Sequence, residues 1–232
     1  MKLTIHHFES VDSTNDVCKQ LSLEGATEGA IVIANSQTNG RGRRGNCWSS
    51  QVGNLYTSLL LTPSIHKNAP PISSYAQLSF LAGLAILKAL ESFNIENINL
   101  KWPNDGIHDC KKLFGILIEC VDDGVVIGIG LNINHSPEVS QPTTCLKEIV
   151  PAEYDVDVVF HAILKQFWNF YRLWLNEGFE TIRVNYLRYA LGLNTEIAID
   201  GKTGIFTGIS NECALILKDD KGIEHEIVTM YS

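Results

Sequence analysis

The feature that most constrains this chain is a change of period at Gly192. Before it, short β-branched runs alternate with longer segments whose apolar residues recur at helical spacing. After it, four short apolar runs follow one another with only turn residues between them. Those runs, 196–199, 204–209, 214–218 and 223–229, predict a small all-β unit of about forty residues. Upstream, residues 3–8, 29–35 and 54–61 read as strands. So do 98–102, halted by Pro103, and the adjoining pair 112–121 and 125–134 around Asp122-Asp123-Gly124. Helices are expected over 74–92, from Asp155 through 175, and over 179–191 with Gly192 as the C′ residue. A further helix opens at Ser13-Thr14-Asn15-Asp16, with Ser13 as N-cap and Asp16 at N3 in a capping-box variant. The division into units therefore falls between 1–190 and 191–232.

A chain of 232 residues that is 45% hydrophobic buries roughly 70% of its unfolded surface and needs no covalent staple. Its six cysteines include no CxxC pair, so they read as reduced thiols of a cytoplasmic protein. Eighteen basic residues against twenty-six acidic give a net charge of −8, which opposes nucleic acid or an anionic membrane as partner. No signal-peptide core and no run of eighteen apolar residues is present.

Against that acidic background, Gly40-Arg41-Gly42-Arg43-Arg44-Gly45 holds three of the six arginines of the chain. Arginine forks suit carboxylates and phosphates, and glycines let backbone amides approach an anion. The string also fits GxGxxG, but a dinucleotide fingerprint must open a helix, and this one runs into Cys47-Trp48-Ser49-Ser50 and then a strand. An RNA-binding basic loop or a merely solvated one fits the string equally well. In Lys101-Trp102-Pro103-Asn104-Asp105 the proline holds Trp102 extended and presents an amide and a carboxylate in a fixed pose, for ribose hydroxyls or Mg²⁺. An ordinary Asn-Asp turn is the alternative. Lys111-Lys112-Leu113-Phe114-Gly115-Ile116 brings two lysines to the start of an apolar strand, where such charges are usually solvated. Gly128-Ile129-Gly130-Leu131-Asn132 puts glycines inside a strand, a sign of close approach by a ligand or another backbone, with a bulge or tight packing as the alternative.

Taken in order, Val11–Asn15, Gln37, Gly40–Gly45, Trp48, Lys101–Asp105, Lys112–Leu117 and Gly128–Asn132 resemble the biotin protein ligases, the biotin–[acetyl-CoA-carboxylase] ligases. The likeness spans residues 8 to 134. It implies a mixed α/β fold similar to class II aminoacyl-tRNA synthetases, with a mixed sheet, flanking helices and a C-terminal SH3-like β-barrel. It also implies two steps: biotin and MgATP form biotinyl-5′-AMP, which acylates a lysine of a biotin carboxyl carrier protein. Biotin's carboxylate is ionised at neutral pH, so the first step needs no general base.

By the same likeness Ser13, Thr14, Asn15, Gln37, Gly40 and Arg41 hold the ureido ring and carboxylate of biotin. Trp48, Gly115, Ile116 and Gly128 shape its apolar slot. Lys112, Arg41 and Arg43 are the implied catalytic cations. Arg43, Asn104, Asp105, Lys112 and Asn132 are the implied ATP contacts, with Asp105 as the Mg²⁺ ligand, and the arginine loop is expected to fold over the ligand as a lid. The resemblance is compatible with a homodimer. Two differences stand out: Asn46 follows the arginine loop where a basic residue is common, and only a few residues precede Val11, which suggests the short form without a DNA-binding domain. The nearest rival is a lipoate–protein ligase; a non-catalytic biotin-binding protein leaves Asn104, Asp105 and Lys112 without a purpose.

Overall fold

In a computed structural model, which describes residues 2–122 and 124–228, two sheets organise the chain. The larger contains β1 (Thr4–Val11), β2 (Ala30–Gln37), β3 (Leu55–Leu61), β4 (Ile98–Lys101), β5 (Asp105–His108), β6 (Lys111–Val121) and β7 (Gly124–Leu131). Their spatial order is β1-β2-β3-β7-β6-β5-β4. Only β1 and β2 run parallel, joined through helix α1 (Thr14–Leu23); the other neighbours are antiparallel. This is the mixed α/β architecture expected. β5 was not anticipated, because four residues with a glycine at the second position carry too little apolar pattern.

The central strands β2, β3 and β7 bury both faces, and their two-residue period sorts side chains between two cores. Ile31, Ile33, Leu59, Leu61, Val125 and Ile127 face helix α2 (Gln77–Glu91), which packs on α4 (Val156–Glu177) and α5 (Phe179–Leu187). Ala30, Val32, Leu60 and Val126 point the other way, to Cys18, Val17 and Leu21 of α1. Helix α2 is buried nearly all round; each Leu, Ile or Phe so enclosed contributes about 1.5–3 kcal/mol. Asp155 caps α4 as expected, accepting from the amides of Asp157 and Val158. Ser13 occupies the N-cap of α1 but makes no capping bond from its side chain. The capping box is therefore not formed: Asp16, its expected second half, pairs with Arg41 instead.

Helix α5 stops at Leu187, four residues before the expected end. The chain leaves the helix to pair with the open edge of β4: Leu100 N donates to Tyr189 O at 2.7 Å and Leu191 N to Leu100 O at 2.9 Å. Covering that edge outweighs one more turn of helix. Gly192, with φ +82°, consequently sits in the turn beyond that segment and not at a helix end. A short helix α3 (Leu146–Ile149) precedes α4. Then β8 (Glu196–Ile199), β9 (Lys202–Ile209), β10 (Leu215–Lys218) and β11 (Glu224–Ile227) form a four-stranded antiparallel meander. The last expected strand reached Thr229, which lies outside the described residues. Phe206, Ile209, Leu215 and Leu217 join the same core as α2 and α4, and Trp102 Nε1 donates to Cys213 O at 2.9 Å. The pattern change at 190/191 thus marks a change of sheet within a shared core.

Candidate active site

Beyond the N-terminus of α1, the α1 face of the large sheet is floored by glycine. Gly128 and Gly130 of β7 continue the row of Val126, and Gly115 of β6 is the direct cross-strand partner of Gly130. Each is needed for a contact. A Cβ on Gly128 would lie 2.2 Å from Asn15 Oδ1, and one on Gly130 2.4 Å from Trp48 Cε2. The ligand-approach reading of these glycines and the tight-packing reading meet here, since what packs on them lines a cavity of about 750 Å³. That volume lies within the usual range for small-molecule sites.

The wall includes Ser13, Thr14, Asn15, Gln37, Arg41, Arg43, Trp48, Asn104, Asp105, Lys112, Gly115, Ile116, Gly128 and Asn132. Those residues span 120 positions of sequence and were singled out in separate motifs. Gly40 lies one layer behind: it is buried, its carbonyl accepts from Trp48 N at 2.9 Å, and a Cβ there would meet Trp48 O at 2.5 Å.

At one end the wall is polar and tightly bonded. Thr14 donates to Gln37 Oε1 from its amide at 2.8 Å and from Oγ1 at 3.1 Å. Gln37 Nε2 donates to Ser50 Oγ at 2.8 Å, and Ser58 Oγ donates to Asn15 Oδ1 at 2.6 Å. Asn15 Nδ2 in turn reaches Glu119 Oε2 at 2.6 Å. Side chains locked this way hold their remaining donors and acceptors in fixed directions. Ser58, Ser50 and Glu119 were missed. The available signals were a Thr-Ser pair inside the apolar strand LYTSLLL and a lone carboxylate closing KLFGILIE.

At the other end the wall is charged. A β-bulge between β5 and β6 leaves Leu113 as the extra residue, with Gly106 opposite Phe114 and Ile107 opposite Lys112. The slip turns Lys112 onto the face of Gly115 instead of the core face. The expectation of a solvated strand-start lysine therefore gives way: its side chain is 17% exposed, with Nζ 2.7 Å from Asp105 Oδ1 and 5.4 Å from the centre of the Trp48 ring. Asn104 Nδ2 donates to Ile116 O at 2.8 Å, and Arg43 Nη1 donates to Asn104 Oδ1 at 3.3 Å. Asn132 is buried; its Nδ2 donates to Thr144 O at 3.0 Å, while its Oδ1 and the Trp48 indole N–H have no partner among the described residues.

The arginine loop ends in a single 3₁₀ turn, Arg43–Gly45, with Arg44 at φ +54°, and opens no long helix. Its arms go to different elements. Arg41 pairs with Asp16 of α1, Arg43 reaches the β4–β5 turn, and Arg44 lies 3.9 Å from Asp200 in the β8–β9 turn. The Arg41 hydrogen bonds hold the Asp16 carboxyl below its ordinary range, and the same contact raises the Arg41 guanidinium. Ile199 and Asp200 bring the small sheet to the cavity, although neither residue stands in a motif legible in the sequence. Among the described residues no group of three His, Cys, Asp or Glu could hold a metal ion. Nor is any helix long and apolar enough to cross a membrane.

Residues 7–134 match the model of the biotin/lipoate A/B protein ligase family. The chain belongs to this family. Within it, the chain is 34% identical over 235 residues to the bifunctional ligase/repressor BirA of Bacillus subtilis, covering 95% of this chain and 70% of that one. It is 32% identical over 228 residues to the biotin–[acetyl-CoA-carboxylase] ligase of Paracoccus denitrificans, covering 91% and 92%. Among solved biotin/lipoate ligase structures, the biotin protein ligase of Aquifex aeolicus in complex with biotin and ATP superposes with a TM-score of 0.85. That match has 29% identity and covers 100% of this chain and 97% of the other.

Proposed function

We infer that this chain is a biotin–protein ligase: it condenses biotin with ATP to biotinyl-5′-AMP and transfers the biotinyl group to a lysine of a biotin carboxyl carrier domain. The observation that carries this reading is one cavity joining a hydrogen-bonded polar end, a glycine and tryptophan floor, and a lysine–carboxylate mouth. That sequence of surfaces matches biotin's ureido group, its thiophane ring with valeryl chain, and the carboxylate beside a nucleotide phosphate. Lipoate has no ureido group, so Thr14, Asn15 and Gln37 would face nothing suited to them.

In the first step a biotin carboxylate oxygen attacks the α-phosphorus, and the bond to the β-phosphate oxygen breaks to release pyrophosphate. On this reading Lys112, Arg41 and Arg43 bind and orient the approaching anions, and the charge they present is the main catalytic device. The unpartnered Asn132 Oδ1 and the Asn104–Asp105 turn face the nucleotide. In the second step the carrier lysine amine attacks the acyl carbon, the bond to the AMP oxygen breaks, and the amine gives up a proton. Ser13, Thr14, Asn15, Gln37 and Arg41 hold biotin, over a slot formed by Trp48, Gly115, Ile116 and Gly128 with Gly40 backing it.

Magnesium fits this donor set as an ion that arrives with the triphosphate. Asp105 and Asp200 are the carboxylates on the described wall, and Asp105 already faces Lys112, whereas Mg²⁺ with phosphates needs only one or two carboxylates. Asp105 would hold it; when bound, it supplies charge neutralisation at the phosphates. Residues 1–190 then form the catalytic unit and 191–232 the small β unit, reaching the site through Ile199 and Asp200. Pyrophosphate release from MgATP, with no carrier present, tests the reading. Biotin should support it and lipoate should not; the reverse result would reassign the enzyme to lipoate.

A further inference from the structure

The two-pronged end of the Arg41 guanidinium is engaged by a carboxylate of its own chain. Nη1 and Nη2 lie 2.5 Å and 2.6 Å from the two oxygens of Asp16, and Nη2 lies 3.6 Å from Glu119 Oε2. Arg41 also lines the cavity where, on the biotin-ligase reading, the substrate carboxylate must be held. An end-on bidentate grip on a second carboxylate uses the same two Nη nitrogens, the side-on edge at Nη2 being already faced by Glu119. It therefore requires the pair with Asp16 to open.

The surroundings make that exchange easy for Asp16 and difficult for Glu119. Asp16 is 47% exposed, so water solvates it once released. Lys19 Nζ, 3.8 Å from Asp16 Oδ1, stays beside it as a counter-charge. Glu119 is 16% exposed and both its oxygens are taken, one by Asn15 and one by Lys19 at 2.6 Å each. We propose that Asp16 is a positioning residue that competes with the substrate carboxylate for Arg41 and so sets the affinity for biotin. Asp16 touches no reacting atom in this scheme; it acts through Arg41. The inference rests on the biotin-ligase reading and adds a residue to it.

Competition has a signature that a structural role lacks: it penalises only ligands that carry the carboxylate. Biotin and biotinol, whose carboxylate is replaced by a neutral alcohol, are titrated calorimetrically into the full-length wild type, Asp16→Asn and Asp16→Glu. Asp16→Asn should bind biotin roughly fivefold more tightly, the factor corresponding to a partly exposed ion pair. Biotinol affinity should stay unchanged, and Asp16→Glu should restore wild-type discrimination. Asp16→Ser, with the same expected outcome, serves if the amide variant melts early. Weaker biotin binding in the neutral variants, an equal change for both ligands, or no change would overturn the proposal. If the wild type binds neither ligand, the biotin reading itself falls and this inference with it. Wild-type binding with an unmoved ratio removes Asp16 alone.

Discussion

Trp48 occupies the space that a side chain on Gly130 would need. A Cβ on Gly130 would come within 2.4 Å of Cε2 and 2.5 Å of Nε1 of the indole, and one on Gly115, its cross-strand partner, within 3.0 Å of Cζ3. The indole is thus seated on a glycine pair from two adjacent strands. Gly130→Ala should displace it and spoil one wall of the slot while leaving the sheet paired. We expect the KM for biotin to rise about tenfold or more, the KM for ATP to move less, and the melting temperature to fall by only a few degrees. Steady-state pyrophosphate release with each substrate varied in turn checks this. An unchanged biotin KM would show that the slot does not depend on the seated ring.

Lys112 faces Asp105 across the bulge at 2.7 Å. If its charge is what lets two anions approach, Lys112→Ala should slow adenylate formation at least a hundredfold. Both side chains of the pair keep some contact with water, so the fold should survive. Single-turnover formation of biotinyl-5′-AMP is the measurement, with thermal melting as the control. Near-normal formation would remove Lys112 from the catalytic set.

A second polar cluster lies on the opposite side of the sheet. Glu28, 6% exposed, accepts from Tyr171 Oη at 2.6 Å and from the Thr62 amide at 3.3 Å, and lies 2.7 Å from His66 Nε2. Burial, then the contact with Glu28, pushes the Tyr171 hydroxyl well above its ordinary range, so it remains a donor. Tyr171→Phe leaves a buried carboxylate short of one donor and should cost about 1–3 kcal/mol. Urea unfolding should show that loss with kcat unaltered, because none of these groups lines the cavity. A fall in kcat at full stability would contradict the assignment.

Cys47 sits in the arginine loop on the cavity wall and is exposed, as are Cys110 and Cys120, which do not line it. Alkylation followed by mass spectrometry should find all three reactive without ligand. Biotin with MgATP should protect Cys47 alone. Equal labelling of Cys47 in both conditions would argue against closure of the loop over bound ligand.

Much of this molecule could be read from the chain alone. Strand and helix periods located most of the elements, since a β-branched run or an apolar stripe carries its own local pattern. The motifs GRGRRG, KWPND and KLFGI named the charged end of the cavity wall, because a ligand of fixed shape demands particular side chains in a particular order. What sequence could not decide is which face each residue takes and what lies across from it. Lys112 enters the site only because a bulge at Leu113 reverses the strand's alternation, a choice set by pairing with β5, itself too short to be recognised. Helix α5 ends at Leu187 because a distant strand edge offers better hydrogen bonds than another helical turn. Asp16 looked like half of a capping box; its neighbour in space is an arginine twenty-five residues on, brought there by the strand between them. Local propensity is written in the chain one segment at a time, whereas register, edge coverage and ion pairing depend on segments that meet only when the sheet has formed.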